Sequence, residues 1–148
     1  MRLVIGSDHA GWMLKGAVVA HVRALGHEVI DVGSFDEKPV DFPDIAREVA
    51  RKVTSGEADR GLMVCGTGVG ASIAANKMKG IRAAVCHDVH SAHQCVEHDD
   101  VNVMCVGAQI VGPWLANDLI TAYLAAEFST DADFRRRVDK LHAMDAGG

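Results

Sequence analysis

The chain has 148 residues, 49% of them hydrophobic and 24% charged, with a formal net charge of −5. That length suits one domain able to bury a core without disulfide or metal, and the acidic balance argues against nucleic acid as a partner. No apolar run approaches the roughly 20 residues that cross a bilayer, and the N-terminus lacks a signal-peptide pattern, so a cytoplasmic protein is expected. The cysteines, Cys65, Cys86, Cys95 and Cys105, show no CxxC spacing. Buried free thiols in a reducing compartment fit them better than disulfides.

The first strand is expected at Leu3–Ser7 and runs into the turn Gly6-Ser7-Asp8-His9-Ala10-Gly11. A helix over 11–25 follows, with Leu14, Val18, Val22 and Leu25 on one stripe and Gly26 at its end. Glu28–Val32 reads as the second strand. Residues 34–44 hold two prolines and four acidic residues and read as an exposed loop before a helix over 43–55. Strand Gly61–Cys65 precedes a helix over 70–79, and strand Ala83–Cys86 precedes one over 89–97. Strand Val101–Val106 precedes a helix over 113–127. Short continuous apolar runs suggest strands buried on both faces. Ser129 or Thr130 is a candidate N-cap for a terminal helix, an arm of about 130–145 expected to pack on a partner subunit. The alternation predicts a single α/β domain over 1–148, a five-stranded parallel sheet between helical layers.

The segment Cys65-Gly66-Thr67-Gly68-Val69-Gly70 carries the most chemistry. It joins a strand to a helix start, where backbone N–H groups and partial positive charge can meet a phosphate or an enediolate oxyanion. A tight turn without a ligand and a dinucleotide site both remain open. The spacing is not G-x-G-x-x-G, but Asp88 stands where a ribose-binding acid would. Cys65 ends its strand, where open α/β sheets bind ligands. Only a few per cent of a free thiol is thiolate at neutral pH, yet a helix start favours the anion, which can remove a proton beside a carbonyl. The alternative is an inert buried cysteine, the reading given to Cys86, Cys95 and Cys105.

Asp8 and His9 would share a crevice with Cys65 if the first and third strands are neighbours. Asp8 could instead cap its helix. His87, His90 and His93 spread around a helix rather than converging on a metal, and read as surface or interface residues. His98, just before the fifth strand, is an acid/base candidate because histidine titrates near neutral pH. Arg135, Arg136 and Arg137 could clamp a phosphate or form a solvated face.

Taken together, Gly6-Ser7-Asp8-His9-Ala10-Gly11 with Leu14-Lys15, Asp41-Phe42-Pro43, Cys65-Gly66-Thr67-Gly68-Val69-Gly70, Ile73-Ala74-Ala75-Asn76-Lys77, Gly80-Ile81-Arg82-Ala83-Ala84 and Asn102-Val103 resemble the ribose-5-phosphate isomerase B family, which includes the galactose-6-phosphate isomerase subunits. The resemblance spans nearly the whole chain. It implies a Rossmann-like (flavodoxin-like) fold, no cofactor or metal, a phosphorylated sugar as substrate, and a homodimer or dimer of dimers with active sites between subunits. It implies aldose–ketose isomerisation, with Cys65 as the base between C1 and C2, Thr67 as a proton relay and Gly66, Gly68 and Gly70 as the anion-stabilising turn. Asp8 and His9 would contact the sugar and its phosphate, His98 would open the ring, and Arg137 would bind phosphate. Asp99 stands where the family usually has asparagine, Asp133 where it often has a second arginine, and Gln109 where many members have arginine. These departures leave the chemistry in place and open the substrate to tetrulose or hexose phosphates beside ribose 5-phosphate.

Overall fold

The computed structural model describes Met1–Gly147. Strands β1 (Arg2–Ser7), β2 (Glu28–Asp31), β3 (Arg60–Cys65), β4 (Ala83–Val85) and β5 (Val103–Gly107) alternate with helices α1 (Trp12–Ala24), α2 (Phe42–Thr54), α3 (Val69–Asn76), α4 (Val89–Asp99) and α5 (Pro113–Ala125). Helix α6 (Ala132–Gly147) ends the chain. All strand pairs are parallel, in the order β2-β1-β3-β5-β4. The fold is the expected three-layer α/β type. Relative to the flavodoxin-like order 2-1-3-4-5, the last two strands are exchanged.

Side chains alternate across each strand, so successive residues enter opposite cores. Leu3, Ile5, Leu62, Val64, Met104 and Val106 pack with α1, α4 and α5. Val4, Met63, Cys65, Val103 and Cys105 pack with α2 and α3. Burial on both faces holds for the central strands β1, β3 and β5, whereas β2 and β4 are edge strands and only half-buried. The 34–44 segment is exposed as expected apart from buried Ser34 and half-buried Val40, and α2 already starts at Phe42. Lys15, 4% exposed, fixes this segment by donating to Asp31 (2.8 Å) and to the Ser34 carbonyl, with Phe35 across its ammonium.

Two features position functional groups. β1 and β3 are neighbours, and their following helices leave on opposite faces, which opens a crevice at their C-terminal ends. Helix α4 then runs back antiparallel to the strands. Its 11 residues span about 16 Å, carrying the chain from the C-terminal edge of the sheet to the N-terminal edge. Helix α6 docks at that second edge. The Ser129 N–H donates to Glu97 O, the Gly80 N–H to Asp145, and Arg82 to His142 Nε2. Ser129 and Thr130 are not the N-cap. Asp131 precedes the helix, and its carboxylate accepts the Asp133 N–H at 2.8 Å because the chain bends once more after Ser129. Of the α6 side chains only Val138 is buried.

Candidate functional site

At the C-terminal edge of β3, Cys65 is 5% exposed, and Sγ accepts the Gly68 N–H at 3.0 Å. That contact needs Gly68 at φ +83°, a left-handed conformation that a side chain would strain. The sulfur therefore faces a backbone dipole of the sign that suits negative charge. Thr67 is exposed beside it, its hydroxyl accepting the Val69 N–H at 3.3 Å. Gly70 opens α3 against Phe42, where a Cβ would stand 2.8 Å from the ring.

The neighbouring turn is packed closely against this one. A Cβ on Gly11 would lie 2.0 Å from Val64 O, and one on Gly107 would lie 2.6 Å from Gly66 O. Only glycine permits these approaches, which draw the ends of β1, β3 and β5 together. Asp8 is buried, and Oδ1 accepts the Gly11 N–H at 2.9 Å. It thus closes the turn ahead of α1 without capping the helix, whose N-cap is Gly11, and it sits at the same strand-end edge as Cys65. His9 is exposed, and Nδ1 accepts the Val40 N–H at 3.2 Å. Asp8, His9, Cys65, Gly66, Thr67, Gly68 and Gly70 thus share one edge of the sheet.

His98, Asp99 and Arg137 lie at the other edge. The His98 ring stacks on Phe134 with centroids 4.0 Å apart, and the Arg137 guanidinium lies 5.7 Å from the same ring. Asp99 is exposed and lines a concavity of about 430 Å³ with Arg82 and His142. Arg135 and Arg136 each have a local partner. Arg136 pairs with Asp133 itself at 2.6 Å, and Arg135 donates to Ser129 O while covering Phe128. The Arg136 guanidinium holds the Asp133 carboxyl below its ordinary range. Among the described residues Arg137 is the arginine of the run with no hydrogen-bond partner, and it lies over the Phe134 ring.

Asp88 is committed too. The Ser91 N–H, donating at 2.7 Å, holds its carboxyl below the usual range, so it caps α4 instead of facing the glycine turn as a ribose ligand would. His87 is only partly at the surface. The ring is half-buried, and Nε2 accepts the Gly107 N–H at 2.9 Å because β4 ends beside β5. Cys86, Cys95 and Cys105 are buried; burial pushes the Cys105 thiol up, and the Cys86 thiol together with burial pushes Cys95 up. Among the described residues, no three His, Cys, Asp or Glu side chains form a metal-sized group. Among the described residues no helix is long and apolar enough to cross a membrane.

Residue-by-residue reading missed the platform role of Phe134, whose signal is an aromatic three positions before Arg137. It also missed the bracing by Gly107, visible only as a glycine after an apolar run.

The profile of the ribose/galactose isomerase family matches residues 3–141. The chain is 42% identical to ribose-5-phosphate isomerase B of Escherichia coli K12, covering 97% of this chain and 96% of that protein. It is 39% identical to D-erythrulose-4-phosphate isomerase 2 of Mycolicibacterium smegmatis, covering 98% and 97%. The solved structure of Clostridium thermocellum ribose-5-phosphate isomerase B superposes with a TM-score of 0.96 at 44% identity, covering 99% of each chain.

Proposed function

The chain belongs to the ribose/galactose isomerase family, and from that premise we propose that it interconverts an aldose phosphate and a ketose phosphate, with ribose 5-phosphate and ribulose 5-phosphate as the leading pair. The observation that carries the reading is Cys65, buried at a strand end with the Gly68 N–H on its sulfur and Asp8 at the same edge.

In the proposed reaction the ring opens first, with His98 moving the proton. The Cys65 thiolate takes the C2 proton of the aldose, and the carbonyl oxygen at C1 gains a proton. The resulting enediol(ate) is held by turn N–H groups, where each well-placed donor contributes about 3 kcal/mol. The hydroxyl at C2 then loses its proton, with Thr67 relaying between the oxygens, and C1 receives the proton from Cys65. Both electrons of the new carbonyl come from within the sugar, so no external redox carrier is consumed.

One chain presents the groups at two edges separated by the length of α4. We infer that a second copy supplies His98, Asp99 and Arg137 to the Cys65 edge, its α6 reaching across. Val69 and Ile73, 53% and 57% exposed and four residues apart on α3 beside the turn, support such a covering copy. Four buried free cysteines fit the cytoplasm as its location.

A shorter or longer sugar is the second reading. The pairing of Arg136 with Asp133 leaves a single free arginine for the phosphate, and one relative is named for D-erythrulose 4-phosphate. Proton NMR in heavy water, with tetrose, pentose and hexose phosphates, tests the proposal. Deuterium entering the ketose C1 or aldose C2 position with conversion supports it and ranks the sugars. A folded protein that exchanges none of them contradicts it.

A further inference from the structure

Phe134, Val138 and His142 recur every four residues along α6 and so share one face of it. Phe134 carries the His98 ring, Val138 is buried, and His142 Nε2 accepts from Arg82 Nη1 at 2.9 Å. Arg82 thus closes the stripe about 12 Å along the helix from the surface on which His98 stacks. The same guanidinium grips the end of α4. Nε donates to Asp100 O at 2.7 Å and Nη2 to Asp100 Oδ2 at 3.2 Å. Asp100 stands two residues after His98 and ends the helix in the left-handed region, at φ 51°. That conformation is unfavourable for a residue with a side chain, and the bonds from Arg82 hold it. The Arg82 side chain is 17% exposed. Its backbone is anchored as well, the N–H donating to Asn102 Oδ1 at 2.8 Å while Asn102 Nδ2 donates to Gly80 O at 2.9 Å. Nε, Nη1 and Nη2 all have partners within the chain, so the guanidinium is committed to the protein and not offered to a ligand.

We propose that Arg82 is a positioning residue for His98. It fixes both the end of the helix that carries the imidazole and the helix whose Phe134 supports its face. This rests on the isomerase reading, in which His98 moves the proton that opens the sugar ring. Arg82 acts through His98 and touches no substrate atom.

The test uses Arg82→Met, which keeps the stem and loses every donor, and His142→Ala, an exposed change that releases only α6. In the wild type the face of Phe134 shifts the His98 ring protons upfield. Proton NMR should show them returning toward the position of free histidine in both variants, further in Arg82→Met. With a sugar phosphate that the wild type converts, Arg82→Met should lower kcat about tenfold and leave KM within about twofold, and Arg82→Lys should recover part of the loss. In a His98→Gln background the same change should cost less than about twofold, whereas a general loosening of the fold would cost as much in either background. Should Arg82→Met fail to fold, His142→Ala decides by the same comparisons, with a smaller loss. His98 signals that stay in place, an equal loss of kcat with and without His98, or wild-type turnover in His98→Gln overturns the assignment to Arg82 while the isomerase stands. No conversion of any sugar by folded wild type overturns both.

Discussion

The two edges of the sheet are built from different materials. The Cys65 edge is made of backbone: Gly11, Gly68 and Gly107 let three strand ends and a helix start close up, and the Gly68 N–H points at a buried sulfur. The α4–α6 edge is made of side chains, with His98 and Arg137 arranged around Phe134 on helix surfaces open to solvent. A backbone-built half offers N–H donors around a buried thiol but few charges. A side-chain half has charge and an imidazole but no such turn. Under the proposed function this difference is what a second copy resolves, each edge lacking what the other carries.

Removing the proposed base should have the largest effect. Cys65→Ala is expected to lower kcat by about 1,000-fold with circular dichroism unchanged, since a positioned base contributes on the order of 10² to 10⁴. Near-wild-type turnover would remove Cys65 from the mechanism. Next comes the packing that shapes the same edge. Gly11→Ala places a methyl group 2.0 Å from Val64 O, so urea unfolding should show a loss of about 3 kcal/mol or more. The same change on the open helix surface at Gly16, where a Cβ meets nothing within 4 Å, should not destabilise.

Changes at the other edge should be milder and of another kind. Arg137→Ala is expected to raise KM by roughly 10- to 100-fold with a smaller change in kcat, the signature of a lost charge-assisted contact to the phosphate. Phe134→Ala removes the surface on which His98 stacks, and is expected to cost about 1 kcal/mol of stability and some turnover. The smallest effect belongs to the link between the edges, the α4 cap. Hydrogen bonds from Ser91 depress the Asp88 carboxyl in the folded state, so its contribution is complete above the ordinary value of 3.8 and is lost as pH falls through the depressed one. Asp88→Ala should therefore lower Tm at pH 7, with the gap to wild type closing in acid. A gap that widens in acid would reverse the sign.

The same contrast decides what the sequence revealed. The Cys65 edge was legible because backbone geometry leaves glycines at fixed offsets after an apolar strand, and Asp8 joined it once β1 and β3 were taken as neighbours. The exchange of β4 and β5 was not legible, because βα units of similar length connect adjacent or next-nearest strands equally well. The bond from the Gly107 N–H to His87 was hidden for the same reason: it exists only when β4 lies beside β5. At the second edge, His98 stood out by its place before the fifth strand, whereas Arg137 was singled out from its basic run only through resemblance to a family. Arg135 and Arg136 looked equivalent to Arg137 until the bend before α6 gave each a local partner.

Subunit mixing tests the central claim most directly. Cys65→Ala and Arg137→Ala proteins, each nearly inactive at low substrate, are unfolded together, refolded as a mixture and assayed, with mixed dimers counted by native mass spectrometry. Half of the dimers should be mixed, each with one site made of two intact edges, so the mixture should recover roughly a quarter of wild-type activity. Mixed dimers that form and stay at the level of the parent variants would contradict a site shared between two copies.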